Sequence, residues 1–170
     1  MSSTKTEIMD VLKKAMRVEA DGYTFYSMVA DKSDKTSVQQ IFDKLAKDEL
    51  EHKSYLKEVA GNVDEKGAGA FSVNLRNPDL KLFSDALFTE SFKRDAAGAA
   101  FEFSALSIGM QLEANAIDTF SRAAQTAGEK EVKSFYEFLA NWERGHMDAL
   151  KRLFESVRGD FWDAGGFAPF

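Results

Sequence analysis

Two Glu-x-x-His motifs, Glu49-Leu-Glu-His52 and Glu143-Arg-Gly-His146, stand in the middle of helical stripes where a packed core calls for Leu or Ala. In the first half, Ile8, Leu12, Ala15, Glu19, Gly22, Tyr26 and Val29 recur at steps of three and four, as do Val38, Phe42, Leu45, Glu49, His52, Leu56 and Val59. The second half repeats the pattern in Ala99, Glu102, Leu106, Gly109, Glu113, Ala116, Phe120 and Ala123, then in Val132, Tyr136, Leu139, Glu143, His146, Leu150, Leu153 and Val157. Such spacing marks the packing faces of four long helices. A carboxylate on a packing face costs several kcal/mol unless a counter-charge meets it. Six such intrusions, Glu19, Glu49, His52, Glu113, Glu143 and His146, predict a positive charge among them.

The intrusions repeat. The differences 113 − 19, 143 − 49 and 146 − 52 all equal 94, and the same offset pairs Ala20 with Ala114, Ser27 with Ser121, Leu45 with Leu139 and Leu56 with Leu150. Two helical hairpins of like sequence are predicted, about 4–60 and about 97–158, in a single domain spanning 1–170. The polar stretch from Asp31 to Ser37 suits a tight turn between antiparallel helices. Between the hairpins, 61–96 reads as a crossover with a short helix over 79–87 after Pro78, and 159–170, mixing Gly with Phe and Trp, reads as an irregular tail.

An i, i+3 spacing puts Glu and His on one helix face a turn apart, so each motif can offer a carboxylate and an imidazole to one ion. Glu19 and Glu113 add a carboxylate from the other helix of each hairpin. With 14 Glu in 170 residues, a Glu three places before a given His is common enough alone, but two at a shared offset are not. Carboxylate and imidazole together suit iron or manganese, and zinc accepts both.

Composition removes competing chemistries. The chain has no Cys, which excludes disulfides, thiolate zinc sites and cysteine-ligated iron–sulfur clusters. A net charge of −6 without a basic block disfavours nucleic acid as a partner. No apolar run approaches the ~20 residues of a membrane span, so no integral membrane association is expected. The polar start, without an apolar leader, suggests the cytoplasm.

At these residues the sequence resembles the ferritin-like di-iron carboxylate superfamily, and within it the rubrerythrin-related group. One Glu from each of two helices and Glu-x-x-His from each of the other two is that superfamily's pattern. The resemblance implies an all-α, antiparallel four-helix bundle holding two iron ions, with Mn or Zn as substitutes. Glu49 and Glu143 are the implied bridging carboxylates, Glu19 and Glu113 the terminal ones, and His52 and His146 one imidazole per iron. Tyr26, seven residues after Glu19, is implied as a hydrogen-bonding neighbour of the site; Tyr23 is a second candidate. A homodimer or higher homo-oligomer is the expected assembly.

Departures from the group narrow the expectation. Without Cys there is no built-in rubredoxin iron, so electrons come from a separate donor, such as a rubredoxin-type protein, or from Fe²⁺ itself. The extra Glu that rubrerythrins carry three residues after the ligand matching Glu113 is here Ala116. The haem-ligating Met of bacterioferritins is here Leu50, so no haem is implied. The expected function is a di-iron oxidoreductase of the ferroxidase or peroxide-scavenging kind, acting on H2O2 or O2 in oxidative stress or iron handling. Iron storage is the alternative, and oxygenation of a quinone-like substrate the third reading.

Glu102, eleven residues before Glu113, lies about 16 Å along the helix at ~1.5 Å per residue, too far to join the site. It is expected to reach solvent near the helix end, with a place on an iron route as the alternative. Gly22, Gly109 and Gly145 interrupt helices near the site. Each costs about 1 kcal/mol against Ala, which either room for an oxygen species or close helix packing would justify.

Overall fold

A computed structural model describes residues 5–71, 86–96 and 99–164. Four long helices carry the predicted stripes: α1 (Lys5–Lys32), α2 (Thr36–Lys66), α4 (Ala100–Thr126) and α5 (Lys130–Ala164). A short α3 (Ala86–Ala96) precedes α4, and one 3-10 turn, Ala68–Ala70, follows α2. Among the described residues there is no strand.

The α1–α2 turn is three residues long and closes on its own polar groups. Ser33 N–H donates to Val29 O, Lys35 N–H to Ser33 Oγ and Gln39 Nε2 to Ser33 O. These bonds satisfy helix-end groups that would otherwise lack partners. At the far end of α2, Gly67 adopts φ 82° and donates its N–H to Val63 O, a left-handed cap that favours glycine. Within each hairpin the helices run antiparallel, with Glu19 against His52 in the first and Phe103 against Phe154 in the second. Across the hairpins α1 faces α4, through Tyr26 and Glu113, while α2 faces α5, through Tyr55 and Phe138. The result is the ferritin-like four-helix arrangement, in which the parallel pair α2 and α4 requires a crossover.

Two apolar clusters fill the bundle. One gathers Ile8, Leu12, Leu56, Phe120, Phe135 and Leu139; the other gathers Val29, Phe42, Leu45, Phe92, Leu106 and Leu150. The six intruding residues lie between them.

Two expectations need correction, and a third falls mostly outside the described residues. Of the short helix expected over 79–87, residues 79–85 lie outside the described residues, as do 72–78 with Pro78; among the described residues α3 covers Ala86–Ala96. Its anchor is Phe92, fully buried with Ala96 in the second cluster, while Ser37 Oγ donates to Asp95 Oδ2 at 2.7 Å. The expected tail is also shorter: α5 runs through Gly159 to Ala164, because one Gly costs about 1 kcal/mol in a helix and does not end it. Residues 165–170 lie outside the described part.

The second correction concerns Glu102, which is buried rather than solvent-facing. The end of the first hairpin's turn covers it, and Ser33 Oγ donates to its Oε1 at 3.3 Å.

Candidate metal centre

The six predicted residues meet in the bundle interior. Glu19 from α1, Glu49 from α2, Glu113 from α4 and Glu143 and His146 from α5 are each at most 4% exposed, and His52 from α2 is half-buried. They form two overlapping quartets able to hold metal ions: Glu19, Glu49, His52 and Glu143, and Glu49, Glu113, Glu143 and His146. In each quartet the ligand atoms lie within 4.8 Å of one another. Glu49 and Glu143 belong to both.

Both imidazoles turn Nδ1 toward the carboxylates. His52 Nδ1 lies 3.0 Å from Glu19 Oε2 and 3.6 Å from Glu49 Oε2. His146 Nδ1 lies 3.4 Å from Glu49 Oε1, 3.5 Å from Glu113 Oε1 and 3.7 Å from Glu143 Oε2, with a hydrogen bond to none of them. The two rings face each other with centroids 5.3 Å apart. Glu19 Oε1 and Glu143 Oε1 are also buried without a partner. Buried polar atoms are normally satisfied, so three orphaned atoms converging on one space fit a site that closes around cations.

The electrostatics carry the same signature. Burial first, then the charges of Glu143 and Glu49, raises Glu19 well above the usual carboxylate range. Burial, then Glu49, pushes Glu143 up to about 8. Burial would also raise Glu49, but His146 and His52 outweigh it and hold Glu49 below the ordinary range. Burial would lower His146, yet Glu49 above all, with Glu113 and Glu143, raises it well above the ordinary imidazole. Without metal, Glu19, Glu143 and His146 all bind protons more tightly than in water. A divalent ion therefore has protons to displace.

Tyr26 is fully buried and its hydroxyl donates to Glu113 Oε1. Burial, then Glu113 and Glu49, raises its pKa, so it stays a neutral donor. Tyr23 is 39% exposed and takes no part. The glycines separate into two roles. A Cβ on Gly22 would stand 2.5 Å from Glu49 Oε1, so this glycine gives the carboxylate its place. One on Gly109 would meet Leu150 Cδ1 at 3.2 Å and Tyr26 Cε1 at 3.4 Å, so that glycine serves close helix packing.

On the α1–α4 side a pocket opens onto Glu49, Glu113 and Glu143 between Gly22 and Ala116, with Asp21 and Asn115 beside them. A longer side chain at 116 would project into this space. The small residue makes the carboxylates reachable.

The family model described as Rubrerythrin matches residues 10–154, which hold the whole cluster and most of both hairpins. The chain belongs to the rubrerythrin family. No curated protein and no solved structure is matched by it. Membership implies di-iron binding, and the clustered carboxylates and histidines are groups that could hold metal. No described helix is long and apolar enough to cross a membrane.

Two neighbours of the cluster escaped the stripe pattern. Asp48 is buried with Oδ2 3.9 Å from His146 Nε2, and burial raises its pKa against the opposing pull of His146 and Lys44. Trp142 stacks on His52 with centroids 4.0 Å apart and planes 11° apart. Both stand directly before the Glu of a Glu-x-x-His, and 142 − 48 is again 94, which was the available signal.

Proposed function

We propose that the chain is a di-iron oxidoreductase that binds two iron ions among Glu19, Glu49, His52, Glu113, Glu143 and His146 and reacts with H2O2 or O2. The observation that carries this reading is the pair of quartets sharing Glu49 and Glu143, each with one Nδ1 turned inward. Two ferrous ions, when bound, supply one electron each toward reduction of the oxidant. The four carboxylates offset their charge, and the flanking apolar clusters limit water.

Glu49 and Glu143, which belong to both quartets, would serve both ions, and Glu19 and Glu113 would serve one each. Tyr26 holds Glu113 in orientation through its hydroxyl and, with its pKa raised, keeps that proton at working pH. The α1–α4 pocket admits a small oxidant to the shared carboxylates. With no Cys, replenishing electrons arrive from outside the chain.

Iron stoichiometry is the first test. Wild-type protein should bind about two Fe per chain, whereas Glu49→Ala or His146→Ala should lower that number while circular dichroism retains the helical signal. Unchanged iron binding in both variants rejects the site. Stopped-flow oxidation of the Fe²⁺-loaded protein then assigns the oxidant. Much faster reaction with H2O2 than with O2 indicates a peroxide scavenger, and comparable rates a ferroxidase.

A further inference from the structure

The repeat that carries Glu49 to Glu143 and His52 to His146 breaks at the neighbouring pair, where one half has Asp48 and the other Trp142. Each of these residues backs the histidine of the opposite hairpin: Asp48 faces His146, and Trp142 covers His52. We propose that this break makes the two metal positions unequal, Asp48 being a positioning residue for His146, so that a divalent ion fills the His146 position before the His52 position. The proposal rests on the metal reading above.

The argument begins with the nitrogen that each ring turns outward. Because Nδ1 of both histidines points at the carboxylates, an ion there leaves Nε2 to carry the proton, and a second neighbour can accept it. For His146 that neighbour is Asp48 Oδ2, which is buried and has no hydrogen bond of its own. At 3.9 Å the pair is an ion contact rather than a hydrogen bond. Closing it takes a shift of about 1 Å, within reach of a carboxylate whose other oxygen is held only by Lys44 Nζ at 3.8 Å. A carboxylate behind a metal-bound imidazole fixes the ring and raises its basicity. It also places a negative charge nearby, which acts on His146 more strongly than on His52.

His52 receives a different support. The indole face orients the ring by stacking but presents no acceptor, since Trp offers a donor only. Trp142 is itself wedged by Phe138 and Tyr55, with centroids 4.7 and 5.5 Å away, so it stiffens His52 without charging it. One opposing influence exists in the His146 half, where the Tyr26 hydroxyl draws on Glu113. A neutral donor withdraws part of a charge, whereas Asp48 contributes a whole one. The balance favours His146.

Zinc titration of the full chain tests the order. The chain has two histidines, so nitrogen-15 histidine labelling yields two imidazole spin systems, separable with a His52→Gln variant. During the first equivalent of Zn²⁺ the His146 signals should move, and the His52 signals during the second, with two steps in calorimetry. Asp48→Asn keeps the shape and removes the charge. It should weaken the first step by about tenfold or more, leave the second nearly unchanged and speed exchange of the His146 Nε2 proton with water. Trp142→Phe should preserve the order. If His52 fills first, if both fill together, or if Asp48→Asn weakens both steps alike or neither, the proposal is wrong while the metal reading stands. If the wild type takes up no Zn²⁺, both fall. Wild-type loading decides the order even if a variant fails to fold.

Discussion

Along each long helix the same inward stripe is mostly apolar toward its ends, Glu102 at the start of α4 excepted, and polar in the middle. In the outer parts, residues such as Leu12, Phe135, Leu45 and Leu106 are fully buried against one another. Each such side chain contributes about 1.5–3 kcal/mol by leaving water. In the middle, four carboxylates and two imidazoles occupy equivalent positions, and each buried charge costs several kcal/mol unless a counter-charge meets it. The backbone is α-helical through both regions. The outer clusters therefore hold the bundle, and the polar middle costs the metal-free protein stability that the outer clusters offset.

The sharpest way to test that division is to damage an outer cluster. Phe135 is fully buried and sits edge-on to Phe71 with centroids 5.3 Å apart. Phe135→Ala should destabilise the metal-free protein by about 3–5 kcal/mol, read by urea unfolding, while the folded fraction still binds the full complement of metal. Loss of metal binding in protein that is demonstrably folded would show that the two regions are not separable.

The second test sets the regions against each other with pH. Glu143, raised to about 8, and Glu19, also raised, bind protons more tightly in the folded state than in the unfolded chain, whose carboxylates titrate near 4.5. Their stabilising share is complete below 4.5 and is lost as pH rises through the folded pKa. His146, raised as well, loses its share in the same direction. Glu49 is lowered, and its share is lost only on acidification below 4.5. The metal-free protein should thus be most stable near pH 5 and lose stability toward pH 8. For a chain of this size 1 kcal/mol moves Tm by roughly 2–4 °C, so a fall of about 5 °C or more is expected between those limits. Saturating Zn²⁺ should reverse the slope, because ions bind best where protons have left. A metal-free Tm that is flat or rising over this range contradicts the account.

How far each region could be read in advance follows from the same contrast. The outer clusters are legible because apolar side chains at steps of three and four have one common explanation. The six site residues are legible because they violate that pattern at a fixed offset. Asp48 and Trp142 were missed because each is one position off the stripe, where Asp and Trp look like ordinary flanking residues; only the fold shows that each faces the opposite hairpin. Glu102 was misread because a Glu in the first turn of a helix usually meets water. Here Ser33, 69 residues earlier, covers it, and that contact is long-range.

The smallest effect on stability, and the finest test of the polar middle, comes from Gly22. In an open helix Gly→Ala gains about 1 kcal/mol, and here that gain opposes a clash, since the new Cβ would lie 2.5 Å from Glu49 Oε1. The atom that must give way is the end of a flexible side chain, so the backbone need not move, and net stability should change by less than about 1 kcal/mol. The displaced oxygen belongs to a carboxylate shared by both quartets. Gly22→Ala should therefore weaken both Zn²⁺ steps, by about tenfold as for other losses of ligand orientation, whereas Asp48→Asn should weaken the first alone. Calorimetry of the two variants side by side separates a shared bridge from a one-sided support. If Gly22→Ala spares both steps, Glu49 is not held in place by the missing Cβ, and the middle of the bundle tolerates more than its crowding suggests.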